Sequence, residues 1–257
     1  MSAENNDSIP PAHTADASQP RWTEIELLPA WSEEYYDVYT ARKLGKWVML
    51  KTLKPEFRDD PKYQEMINKE FEVRYNLSHP NIIMINDFED VPGVGLSIIC
   101  DDVYGLSLSQ LLKDGKLEDH HYEQLCNRLP MAMEYIQQNH LAHKPLRPSS
   151  VIFTENIGNL KLIDVGFDQK NSLSHQDTND DIRRYGELME QVLRETGRRD
   201  PVMAHVAQRA KNGSFRDVQE LQMAISGRKN NRLFIIICAA ALGALAVACA
   251  WLLHGGA

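Results

Sequence analysis

Thiols and imidazoles are the side chains to test first for chemistry, and their spacing here argues against it. Cys100 and Cys126 lie apart in the middle of the chain, and Cys238 and Cys249 lie near its end. A structural zinc needs four ligands grouped in short-spaced pairs, and no CxxC pair or His/Cys cluster occurs. Four scattered thiols are also too few for a disulfide framework, so a reducing compartment is the default. Charge excludes a further class. Twenty-eight Lys and Arg against 36 Asp and Glu leave a net charge of −8 over 257 residues. Broad binding to nucleic acid needs a basic face to neutralise phosphates, so no nucleic-acid partner is expected.

Composition divides the chain into three zones. Residues 1–22 hold three prolines, many small polar residues and almost no large aliphatic ones. Such a stretch cannot bury enough surface to offset its ordering entropy, and it is expected to be disordered. Lacking a basic start followed by an apolar run, it does not read as a secretion signal. Residues 233–253, LFIIICAAALGALAVACAWLL, carry no charge. As a helix they would reach roughly 31 Å, the thickness of a bilayer's hydrocarbon core. A buried core helix is the competing reading, but one apolar all round is uncommon near a terminus, and Trp251 is placed like an interfacial anchor. Arg228, Lys229 and Arg232 precede the run and only His254 follows it. The positive-inside bias then predicts a single-pass, tail-anchored protein: a body in the cytoplasm, a basic juxtamembrane segment over 227–232, a span over 233–253 and a short extracytoplasmic tail over 254–257.

Residues 23–226 carry strand signals first and helical ones after. β-prone runs Asp37–Ala41 and Trp47–Lys51 flank a turn at Gly45. Asp60-Pro61 is a helix start, and the apolar stripe Met66, Ile67, Phe71, Val73 carries that helix to about Leu77. Asn81–Phe88 and Leu96–Cys100 read as further strands. Helical periodicity then covers Leu108–Leu112, His121–Asn139, Asp181–Arg194, Val202–Ala210 and Val218–Ile225. A hairpin, Val151–Phe153 and Leu160–Ile163, interrupts it. Strands, then helices, with a hairpin between, predict an α+β body of two lobes, β-rich over about 23–100 and helical over about 101–226. There is no internal repeat.

Several short motifs in this order resemble the protein kinase family in its bacterial serine/threonine form. Val48-Met49-Leu50-Lys51 is similar to the strand bearing the family's ATP-contacting lysine, and Glu70 stands where its ion-pair partner would. Ser78-His79-Pro80-Asn81-Ile82-Ile83 resembles the turn leaving that helix. His143-Lys144-Pro145-Leu146-Arg147-Pro148-Ser149-Ser150 occupies the place of the catalytic loop, and Asp164-Val165-Gly166 that of the magnesium-binding motif. Asp181 with Gly186 resembles the start of the large lower-lobe helix.

The departures bear on activity. Phosphoryl transfer rests on positioning and charge stabilisation. A glycine-rich loop brings backbone amides to the phosphates, whereas Trp31-Ser32-Glu33-Glu34-Tyr35-Tyr36 has no glycine and two carboxylates. Their simplest placement is solvated and outward. By the resemblance, the proton-accepting aspartate falls on Pro145 and a metal-holding asparagine on Ser150. His143 becomes a packed histidine, and Arg147 replaces a phosphate-facing lysine. Sixteen residues separate Asp164 from Asp181, without an Ala-Pro-Glu signature, and Ser214 stands where that glutamate's arginine would.

Lys51, Glu70 and Asp164 remain. Two readings stay open: weak binding of a nucleotide with one Mg²⁺ on Asp164, or an ion triad in which Lys51 bridges both carboxylates and braces the lobes. The missing glycines favour the brace. The resemblance with its losses implies a membrane-anchored pseudokinase that binds or scaffolds a protein partner. It would need no cofactor and hold ATP and Mg²⁺ weakly at most. The alternatives are an atypical serine/threonine kinase with residual activity and a non-catalytic ATP sensor.

Overall fold

Buried Tyr36, Val38 and Ala41, separated by half-buried residues, mark Tyr36–Lys43 (β2) as a strand with one face on the core. It is joined to Lys46–Leu53 (β3) by a two-residue turn, Leu44-Gly45, with φ of 51° and 79°. Positive φ at both central residues makes a hairpin whose twist fits the flanking strands. Glycine takes that conformation freely; leucine takes it at a cost. Trp22–Leu27 (β1), which the sequence reading did not anticipate, pairs with β2. Ile85–Val91 (β4) and Gly95–Asp101 (β5) complete an antiparallel sheet of order β1-β2-β3-β5-β4. Between β3 and β4 runs Pro61–Arg74 (α1), capped by the Asp60 carboxylate accepting the Lys62 N–H at 2.9 Å. It ends three residues short of Leu77. Ile67 on α1 packs into an apolar cluster with Tyr36, Val38, Met49, Ile83, Ile98, Cys100 and Val103.

The computed structural model describes residues 20–142, 146–155, 158–163, 165–166 and 168–227. Below the sheet, Gly105–Ser107 (β6), Val151–Thr154 (β8) and Leu160–Leu162 (β9) form a three-stranded sheet, and Leu141–Ala142 (β7) pairs with Asp168–Gln169 (β10). The helices are Leu108–Lys113 (α2), Asp119–Gln138 (α3), His175–Thr196 (α4), Pro201–Lys211 (α5) and 218–227 (α6). The fold has two lobes, β-rich above and helical below, as the element order predicts.

Helix α4 begins six residues before Asp181, because Ser174 and Asp177 form a reciprocal cap that starts it early. Gly186 lets α4 meet α5: a Cβ there would stand 2.7 Å from the Ala207 carbonyl oxygen and 2.8 Å from the Ala210 Cβ. Tyr122, Leu125, Leu129, Tyr185, Phe215 and Leu221 fill the lower core. Cys100 and Cys126 are buried thiols. Among the described residues no helix is long and apolar enough to cross a membrane. The expected disordered segment, for residues 1–19, and the run 233–253 with its basic flank and tail lie outside them.

Candidate functional site

The site begins with a turn. Where the sequence lacks glycines, Pro29 starts a single 3-10 turn, Pro29–Trp31, between β1 and β2. Its ends are pinned: the Leu28 N–H donates to the Val38 carbonyl at 2.7 Å, and the Glu33 N–H to the Tyr36 carbonyl at 2.8 Å. The Ser32 hydroxyl donates to the Leu28 carbonyl and accepts the Val38 N–H. Leu28 and Trp31 thereby pack against the upper-lobe cluster that includes Val38, Met49, Cys100 and Val103.

The same turn aims Glu33 inward. Lys51 Nζ lies 3.1 Å from Glu33 Oε1 and 3.0 Å from Glu70 Oε1, with the Tyr36 ring centroid 4.1 Å away. Glu70 is fully buried, and its Oε1 also accepts from Arg74 Nη1, one turn further along α1. Arg74 Nη2 donates in turn to the Ile163 carbonyl, just beyond β9, at 3.3 Å. Burial works against the charged form of Lys51, yet Glu70 and Glu33 outweigh it and its pKa stands above the ordinary lysine value. Burial first, then the charges of Glu70 and Glu33, push the Tyr36 phenol well above its usual range. Glu34 is exposed, so of the two carboxylates expected to face outward only Glu34 does; Glu33 is a correction.

In front of this cluster opens a cleft of about 730 Å³, lined by Trp31, Glu33, Glu34, Lys116, Arg147 and Ser150 among others. Ser150 is buried. Its hydroxyl accepts the Arg147 N–H at 3.2 Å and donates to the Arg147 carbonyl at 2.9 Å, while the Ile163 N–H donates to its carbonyl. The side chain is used on the backbone of its own turn. No group of three His, Cys, Asp or Glu among the described residues is placed to hold a metal.

The family model for the protein kinase domain matches residues 34–185, more than half of the chain. The chain belongs to the protein kinase family. A probable serine/threonine-protein kinase of Streptomyces coelicolor is 31% identical over 137 residues, 52% of this chain and 20% of that protein. PknA of Mycobacterium tuberculosis is 28% identical over 48% of this chain and 30% of its own length. The chain thus spans between about a tenth and a third of the length of the curated relatives it matches. The crystal structure of the M. tuberculosis PknI kinase domain shares the fold, with a TM-score of 0.59 and 20% identity over 81% of this chain and 96% of that one.

Within this kinase fold, the structure brings Lys51 and Glu70 together, as the resemblance implies. The third expected member, Asp164, and the loop residues His143 and Pro145 lie outside the described residues. Among those described, Lys51 bridges Glu70 to Glu33, and Arg74 on Ile163 is one of several hydrogen bonds across the lobes, with the Ile83 N–H on the Leu162 carbonyl and the Asn81 amide on the Leu160 carbonyl. Sequence reasoning missed Glu33, Arg74 and the turn that seats Trp31. Only Arg74 left a readable signal, the i, i+4 spacing from Glu70.

Proposed function

We propose that this chain is a pseudokinase: a kinase-shaped, membrane-anchored protein-binding module that does not transfer phosphate at a useful rate. One observation carries the reading. The Lys51 ammonium, which in a working kinase would face phosphate, is already held between two carboxylates, and one of them comes from the turn where phosphates would need backbone amides. The cavity residues do not suit a nucleotide, since Glu33 and Glu34 both line the cleft and Glu33 presents negative charge beside Lys51, toward the phosphates' place. Pro145, where the resemblance puts the proton acceptor, removes a contribution of about 10²–10⁴-fold. Helix α4 starts at His175, leaving ten residues after Asp164 for the segment that docks a peptide. The apolar run 233–253 and its basic flank favour a single span, with the domain in the cytoplasm.

Addition of ATP and magnesium should leave the melting temperature unchanged, and autophosphorylation should be undetectable. Pro145→Asp alone should restore nothing. Nucleotide-dependent stabilisation without transfer would make the protein a sensor instead. Magnesium-dependent transfer abolished by Asp164→Ala would make it a kinase.

A further inference from the structure

The tip of the β2–β3 hairpin is strained, greasy and basic at once. Leu44 sits at φ 51° in the left-handed region, where asparagine, aspartate or glycine would be at ease. Its backbone is fixed there by donating its N–H to the Arg21 carbonyl at 2.9 Å. The side chain has nothing to pack on and is 72% exposed, and Trp47 beside the turn is 37% exposed. The Arg42 guanidinium covers the Trp47 ring at 4.4 Å, pairs through Nε with Glu24 at 3.2 Å and donates from Nη1 to the Gly45 carbonyl. Lys43 is engaged by Asp87 and Glu89 at the sheet's far edge, whereas Lys46 is exposed and in no ion pair among the described residues. A leucine held in a costly conformation only to face water is a residue in search of a surface.

We propose that this tip, Arg42 to Trp47, docks onto an anionic lipid surface, Leu44 and Trp47 entering the headgroup region and Lys46 meeting phosphate. Tryptophan and long basic side chains favour that boundary because each has an apolar body and a polar end. The proposal rests on reading 233–253 as a membrane span. Only five residues, 228–232, lie between the last described residue and that run, about 20 Å even when fully extended. A domain about 40 Å across on so short a leash stays at the bilayer, so a weak contact is enough to orient it. The chain's overall charge of −8 opposes general adhesion to anionic lipid. That leaves orientation to a local basic feature.

The full chain, reconstituted into vesicles of phosphatidylcholine alone or mixed with phosphatidylglycerol, tests both levels separately. Resistance to carbonate extraction reads the span; hydrogen exchange of the amides of residues 44–47 reads the tip. Exchange slowed by about tenfold in the anionic vesicles, relative to the neutral ones, is the expected result. Leu44→Asn combined with Lys46→Glu should abolish the slowing, while the melting temperature holds or rises because asparagine suits the turn. Equal exchange in both vesicle types, or slowing that survives in the variant, overturns the tip even if the chain resists carbonate. Extraction by carbonate overturns the span and the proposal with it.

Discussion

Below the cleft, the lower lobe is mostly carbon: Tyr122, Leu125, Leu129, Tyr185, Phe215 and Leu221 share one core, and its buried Asp200 accepts from the Tyr122 hydroxyl at 3.2 Å and the Met203 N–H at 3.0 Å. Above it, the upper lobe places an ion cluster, Glu33–Lys51–Glu70–Arg74, beside its apolar core. The lower arrangement tolerates drift in sequence, since many hydrophobic sets fill the same volume. The upper one does not, because a buried charge that loses its partner is costly. On the proposed reading, Lys51 and Glu70 serve to hold the upper lobe together.

Removing Glu70 should therefore have the largest effect. Glu70→Gln keeps the shape and leaves Lys51 and Arg74 facing a neutral amide, at a cost of about 3–5 kcal/mol. For a domain of this size that is a fall in melting temperature of roughly 6–20 °C. A loss below about 1 kcal/mol would show that the upper lobe rests on apolar packing as the lower one does. Gly186→Ala probes the other side. Its Cβ would press on Ala207 and Ala210, an overpacking worth about 1–3 kcal/mol, from which about 1 kcal/mol of helix propensity must be subtracted. Denaturant titration should show net destabilisation; a more stable variant would mean that α5 can yield.

Acid should separate the lobes by a smaller margin. Burial lowers the pKa of His79, which stacks on Tyr135, and of His121, which packs against Phe153 at the start of α3. Each accepts a backbone N–H at Nδ1, from Asn81 and Glu118 respectively. The unfolded chain thus takes up these protons more readily. Stability should be full above about pH 6.5 and fall as pH drops below it. Lys51 shifts the opposite way, so its contribution persists throughout this range and is lost only in strong alkali. Combining His79→Asn with His121→Gln should flatten the slope between pH 7 and 5. An unchanged slope would place the acid-sensitive groups elsewhere.

The order of lobes was legible because hydrophobic periodicity does not depend on catalytic residues: the stripe of α1 and the buried positions of β2 mark their elements. Edges were less so. Helix α4 starts at His175 because of a Ser174–Asp177 cap that can be read in the sequence, whereas β1 carries a register shift between Thr23 and Glu26 that blurs its alternation. The inward aim of Glu33 could not be read at all. Glu33 and Glu34 are chemically equal neighbours, and which one turns toward Lys51 depends on a 3-10 turn fixed by Pro29 and the Ser32 hydroxyl.

Glu33 can be regarded as an inhibitor supplied in cis. Being covalently part of the chain, it cannot be washed out or diluted, and its supply does not vary with metabolism. If the closed pair with Lys51 outnumbers the open form by about ten to one, every anionic ligand for that lysine sees its apparent Kd raised about tenfold. The same handicap applies at any ligand concentration the cell reaches. On the proposed reading, a module built this way responds about tenfold less to changes in nucleotide level than one whose lysine stands open.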